Sequence, residues 1–159
     1  MLQNLSTAAV NGFDFGTKDN PIEMPFLKSF VVGLYSSEVA KVHMKSPNIT
    51  SIDHAFTHNS LMKEIVWYDD EDAFKNALSN LINANGAFYG TNLNDVAFVY
   101  NLPKLVSAHH MWGYGNYTNN KVITGNIKMY NLFSFLNGIA MFNNTQIKLE
   151  DAEVIADEI

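Results

Sequence analysis

The segment 69–86, DDEDAFKNALSNLINANG, carries the strongest pattern in the chain and constrains its fold more than any other. Asp69 or Asp70 can cap a first helical turn, and acids crowd where a helix dipole favours them. Phe74, Leu78, Leu81 and Ile82 share one face of a 3.6-residue period, and Asn85-Gly86 supplies a stop. The spacing predicts a central helix over about 70–84 whose apolar face must pack on something.

The flanking segments read as sheet. Glu64–Tyr68 (EIVWY) and Asp95–Tyr100 (DVAFVY) are strand candidates. Between Phe26 and Met44, Leu27, Phe30, Val31 and Leu34 fit a helical face, yet Phe30–Tyr35 also reads as a buried strand and Glu38–Met44 alternates. Gly33 and the valines tilt the choice to strand. The last third is punctuated like an antiparallel meander, with Asn119-Asn120 before KVITGNIKMY, Asn137-Gly138 between NLFSFL and IAMF, and Asn143-Asn144 before TQIKL. In LEDAEVIADEI, Leu149, Ala152, Ile155 and Ile159 fall near one side, which predicts a short C-terminal helix. The expected fold class is therefore α+β: a single domain dominated by antiparallel sheet, with the central helix and the terminal helix packed on it.

At 159 residues the chain can bury one core. No internal repeat or low-complexity linker stands out. Gly12, Gly16, Pro21 and Pro25 mark residues 1–25 as an irregular arm ahead of a single domain over 26–159. Cysteine is absent, which removes disulfides, thiolate nucleophiles and Cys-ligated metals. All ten basic residues are lysines and the net charge is -6, so the bidentate fork that grips phosphates and guanine edges is missing. Nucleic acid and nucleotides are not expected partners, and no apolar run approaches the ~18 residues of a membrane span. A cytoplasmic protein, or one incorporated in a particle assembled there, is the expectation.

Five histidines and a few acids hold whatever chemistry there is. His54 and His58 would share one face of a helix, as paired metal ligands do, but would lie ~13 Å apart on a strand. They lack the glutamate of an HExxH motif, and nothing supplies an obvious third ligand, so neither a metal nor a cofactor is expected. His54–Ser60 (HAFTHNS) is similar to the ALTHRS-like stretch of ribonuclease III domains. That family's acidic helix has no counterpart in the following LMKEIVWYDDEDAF, and the resemblance assigns no activity. His109 and His110 would point to different faces of any regular element, leaving at most one for a site. No GxSxG elbow accompanies Ser107, and Asp69–Asp72 lack the spacing of a calcium loop.

The stretch Trp112–Tyr117 (WGYGNY) combines turn-forming glycines with rigid amphipathic rings. Trp112, Tyr114 and Tyr117, with His110, are the candidate contact residues for another protein or a sugar ring; the alternative is a cluster closing the domain's own sheet. Charged residues make up 16% and aromatics 13%, the balance of a surface partly covered by partners. The composition favours a non-enzymatic structural or interaction subunit that joins copies of itself or other protein subunits, such as a virion or phage particle component. One alternative is a small His-dependent or metal-dependent hydrolase using His54, His58, His109 or His110 with Asp53 or Asp95. Another is an acidic intracellular inhibitor, such as an immunity or anti-defence protein, that masks a basic partner.

Overall fold

The computed structural model describes residues 12–69, 76–94, 96–113 and 123–142 and the backbone of the strand 152–154. Its strands are β1 (Phe13–Phe15), β2 (Ile22–Glu23), β3 (Val39–Lys45), β4 (Glu64–Trp67), β5 (Val96–Asn101), β6 (Gly125–Tyr130) and β7 (Ala152–Val154). Every pairing among them is parallel. β1 and β2 lie end to end along one side of β3, and β4 lies along the other; β5, β6 and β7 form a second sheet in that order.

A second ladder runs through the turn segments that follow the strands. Ser29, Ser51, Asn83, Ser107 and Asn137 form one continuous column of parallel bridges. The chain is thus a β-solenoid: each rung consists of a strand and a bent turn segment, and each lies on the next.

Aligning the rungs on that column exposes a repeat. Two positions before the bridge stand Leu27, Ile49, Leu81, Leu105 and Phe135, and five positions after it stand Leu34, Phe56, Phe88, Trp112 and Phe142. Most of these side chains are fully buried, so equivalent residues stack in the interior. Phe56 lies on Phe88 at 5.6 Å and Phe88 on Trp112 at 4.3 Å between ring centroids. A single rung cannot bury its apolar side alone, and stacking makes the core continuous.

Three positions after the bridge, Val32, His54, Gly86, His110 and Ala140 all have left-handed backbone, with φ between 51° and 58°. This shared kink turns the chain so that alternate N–H groups point along the solenoid axis. Val32 N–H donates to the Asp53 carbonyl, His54 to Asn85, Gly86 to His109 and His110 to Ile139.

The architecture overturns the α+β expectation. The described residues contain strands, turns and one 3₁₀ position, and no α-helix. Of the central helix expected over 70–84, residues 70–75 lie outside the described residues, and 76–84 form a turn and a bridge. Leu78 and Leu81 do point inward, but as members of columns that continue to Leu102 and Leu105 on the next rung. Part of the expected C-terminal helix, Ala152–Val154, is a strand parallel to β6. Asn137-Gly138 makes no hairpin: Asn137 pairs in parallel with Ser107. The repeat escapes notice in the sequence because successive rungs are offset by 22, 32, 24 and 30 residues, so no fixed period exists. Within the expected arm, Phe13–Phe15 and Ile22–Glu23 are strands paired with β3. Among the described residues no helix is long and apolar enough to cross a membrane.

Candidate functional site

The left-handed turns raise one wall of side chains outward, and between them opens a cleft of about 550 Å³. Four successive rungs line it: Val32 and Tyr35; His54, Thr57 and His58; Asn85, Gly86 and Tyr89; His109 and His110. At a rung spacing of about 4.8 Å these span roughly 14 Å along the solenoid. Four of the chain's five histidines thus share one surface feature.

Glycine on one rung makes room for histidine on the rung before. At Gly86 an added Cβ would lie 2.5 Å from the His54 ring, and at Gly90 it would lie 2.5 Å from that of His58. The histidines therefore lie down over the next rung and do not project freely. His58 stands edge-on between Tyr35 and Tyr89, with ring centroids at 5.6 Å on both sides, and Tyr89 meets His110 at 6.0 Å. His110 in turn meets His109 at 4.1 Å. The result is a staircase of five rings, each roughly perpendicular to the next, an arrangement that ring quadrupoles favour.

Hydrogen bonds assign some polar roles. The Thr57 hydroxyl donates to the Gly86 carbonyl at 2.6 Å, so its oxygen accepts from His54 Nδ1–H at 3.3 Å. That leaves Nε2 as the acceptor of the His54 ring. Asp53 Oδ1 accepts the Asn85 N–H at 2.7 Å, and Asn85 Oδ1 accepts the His109 N–H at 2.9 Å and the Ser107 hydroxyl at 2.5 Å. Asp53 and Asn85 therefore satisfy the backbone of the following rung and steady the cleft floor. Among the described residues the lining contains no carboxylate and no lysine.

His54 and His58 are on neither a helix nor a strand; both have left-handed backbone, and both face the cleft. His109 and His110 face it together, because the kink at His110 breaks the alternation of a regular element. Among the described residues no group of three or more His, Asp or Glu is placed to hold a metal. Trp112 is completely buried in the interior aromatic column, beside Phe88 and Phe98, and so closes the solenoid's own core. Tyr114 and Tyr117 lie outside the described residues, as do Asp70–Asp72 and Asp95.

Sequence reasoning missed Tyr35 and Tyr89, which occupy the same position in two rungs, just after the interior residues Leu34 and Phe88. Alignment of the rungs is the signal that reveals them. It also missed a network on the strand side. His43 is buried, with Nδ1 2.6 Å from the Tyr68 hydroxyl and Nε2 3.0 Å from Glu64 Oε1. Burial, then Glu64, then Asp19 push the Tyr68 hydroxyl above its ordinary range, so it stays protonated and donates to Nδ1, while Nε2–H donates to Glu64. These contacts tie His43 on β3 to both ends of β4.

Comparison with protein-family models, curated proteins and solved structures yields no match.

Proposed function

We propose that the protein is a non-enzymatic interaction subunit whose Tyr/His cleft receives an extended segment of another protein. The observation that carries this reading is the ring staircase of Tyr35, His58, Tyr89, His110 and His109, which crosses four rungs of one rigid scaffold. Large rings held by neighbours offer contact area at little further entropic cost, as in protein-binding surfaces rich in tyrosine. Among the described residues the lining carries no carboxylate and no lysine, which suits a polar partner segment without strong charge. The low overall charge and high aromatic content support the same reading.

Selection of random peptides on the wild-type protein tests it. Peptides enriched on the wild type should bind Tyr89→Ser or His110→Ala at least about tenfold more weakly. Failure to enrich any peptide, or enrichment that both variants retain, would count against the cleft.

The convergence of four histidines also supports a second reading, a small His-dependent hydrolase. Among the described residues no carboxylate lines the cleft beside an imidazole, and the Thr57 hydroxyl is committed to the Gly86 carbonyl. Hydrolysis of a chromogenic ester that disappears in His54→Gln and in His110→Gln would favour this reading over the first.

A further inference from the structure

Tyrosine and histidine alternate along the cleft with a period of two rungs. Tyr35 and Tyr89 stand at the same position in their rungs, six residues after the bridges at Ser29 and Asn83. Each is followed on the next rung by an imidazole: Tyr35 meets His58 at 5.6 Å and 88°, and Tyr89 meets His110 at 6.0 Å and 82°. His58 and His110 come from different positions in their own rungs, seven and three residues after the bridge, yet they make nearly the same perpendicular pair.

Two rungs correspond to about 9.6 Å along the solenoid axis, twice the usual spacing of neighbouring strands. A ligand that uses both ring pairs alike must present equivalent groups at that interval. A polyproline II segment does so, since three residues per turn at about 3.1 Å each repeat one side chain every ~9.3 Å. An extended β-strand shows the same face every ~6.7 Å and an α-helix turns every ~5.4 Å, and neither falls into step with the pairs.

The backbone beneath the rings argues against an added strand. His54, Gly86 and His110 donate their N–H groups to the Asn85, His109 and Ile139 carbonyls, so these groups are committed within the ladder. A segment lying along the axis also crosses the strands and pairs with none of them. Recognition then falls to the rings. Aromatic-lined grooves suit proline, and a polyproline II segment loses little entropy on binding because its conformation is preformed. The lack of carboxylate and lysine in the lining, among the described residues, matches an uncharged segment. A cleft of four rungs, roughly 14 Å long, accommodates about four residues in this conformation.

We propose that the cleft takes a proline-rich segment in the polyproline II conformation, with prolines three residues apart (Pro-x-x-Pro) and one proline against each Tyr/His pair. This inference rests on the reading of the cleft as a peptide-binding site and names the class of peptide.

Fluorescence anisotropy of labelled ten-residue peptides on the full chain tests it. One peptide carries Pro-x-x-Pro-x-x-Pro with serine and alanine between the prolines. A second has the same composition with its three prolines adjacent, and a third is a proline-free sequence of threonine, valine and serine. The first should bind at least about tenfold more tightly than the other two. Tyr35→Ser and Tyr89→Ser should each weaken it at least about tenfold with an unchanged circular dichroism spectrum, while Tyr35→Phe, which keeps the ring, should bind within about threefold of wild type. Equal binding of the first and second peptides overturns the proposal, as does binding that both serine variants retain or a loss in Tyr35→Phe as large as in Tyr35→Ser. Preference for the third peptide, lost in Tyr89→Ser, overturns it while leaving the cleft a peptide site. Binding of none of the three also overturns it, and the random-peptide selection then decides whether the cleft reading falls with it.

Discussion

The Tyr100 hydroxyl takes the place of a missing strand pairing. β4 and β5 are neighbours without a backbone ladder between them, and there the phenol oxygen accepts the Trp67 N–H at 2.9 Å and lies 3.4 Å from the Trp67 carbonyl. A small cavity of about 270 Å³, lined by Lys63–Val66 with Val96 and Ala97, marks the same gap. The buried ring, packed on Phe98 and Trp67, carries the oxygen to a backbone N–H that would otherwise lack this partner.

Tyr100→Phe should therefore destabilise the protein by about 1–3 kcal/mol, the cost of leaving a buried donor unsatisfied. Urea unfolding checks the value. Little change would mean that water entering the gap replaces the phenol.

Stability should also fall at alkaline pH. Burial raises the Tyr100 hydroxyl, and burial with Glu64 and Asp19 raises that of Tyr68. A raised pKa means the folded state holds the proton more tightly than the unfolded chain does. The contribution is complete below the unfolded value near 10 and is lost as pH rises through the folded values. Urea midpoints measured from pH 8 to 11 should drop above pH ~10, and the drop should be smaller in Tyr68→Phe.

The stack of Trp112 on Phe88 predicts a large cost for cavity formation. Trp112→Ala should lose about 3–5 kcal/mol, whereas Trp112→Phe should lose far less, since the indole N–H has no hydrogen-bond partner among the described residues. Both tryptophans of the chain are fully buried. Their emission should be blue-shifted in the native protein and move to the red in one step on denaturation.

Val32 combines a β-branched side chain with φ of 55° on an exposed turn. Such a backbone is strained for valine and tolerable for asparagine or glycine. Val32→Asn should raise stability by roughly 1 kcal/mol, measured as a higher thermal midpoint.

Gly86 and His54 should be energetically coupled. Gly86→Ala pushes a methyl into the His54 ring and should cost about 1–2 kcal/mol. In a His54→Ala background part of that cost should disappear, leaving a coupling energy above about 0.5 kcal/mol in a double-mutant cycle. Full additivity would show that the backbone at φ 58° alone resists the substitution.

Local chemistry in the sequence determined several things by itself. The absence of cysteine and arginine bounded the reactions and ligands open to the chain. The β-branched and aromatic runs located β4 and β5 almost to the residue, because a strand's preference is written in its own side chains. His54, His58 and His110 stood out in the sequence as well, though not as one group. Only the tertiary structure decided strand direction and side-chain company. Leu78 and Leu81 at a spacing of three satisfy a helical turn or a bent solenoid corner equally well, and Asn137-Gly138 satisfies a hairpin or a kink. The neighbouring rung breaks the tie: Leu78 and Leu81 are buried at the same places in their rung as Leu102 and Leu105 in the next, and Asn137 pairs with Ser107. Those contacts join residues dozens of positions apart at unequal intervals, so no local window contains them. The cleft depends on the same stacking, since Tyr35, His58, Tyr89 and His110 become neighbours only when four rungs lie one above another.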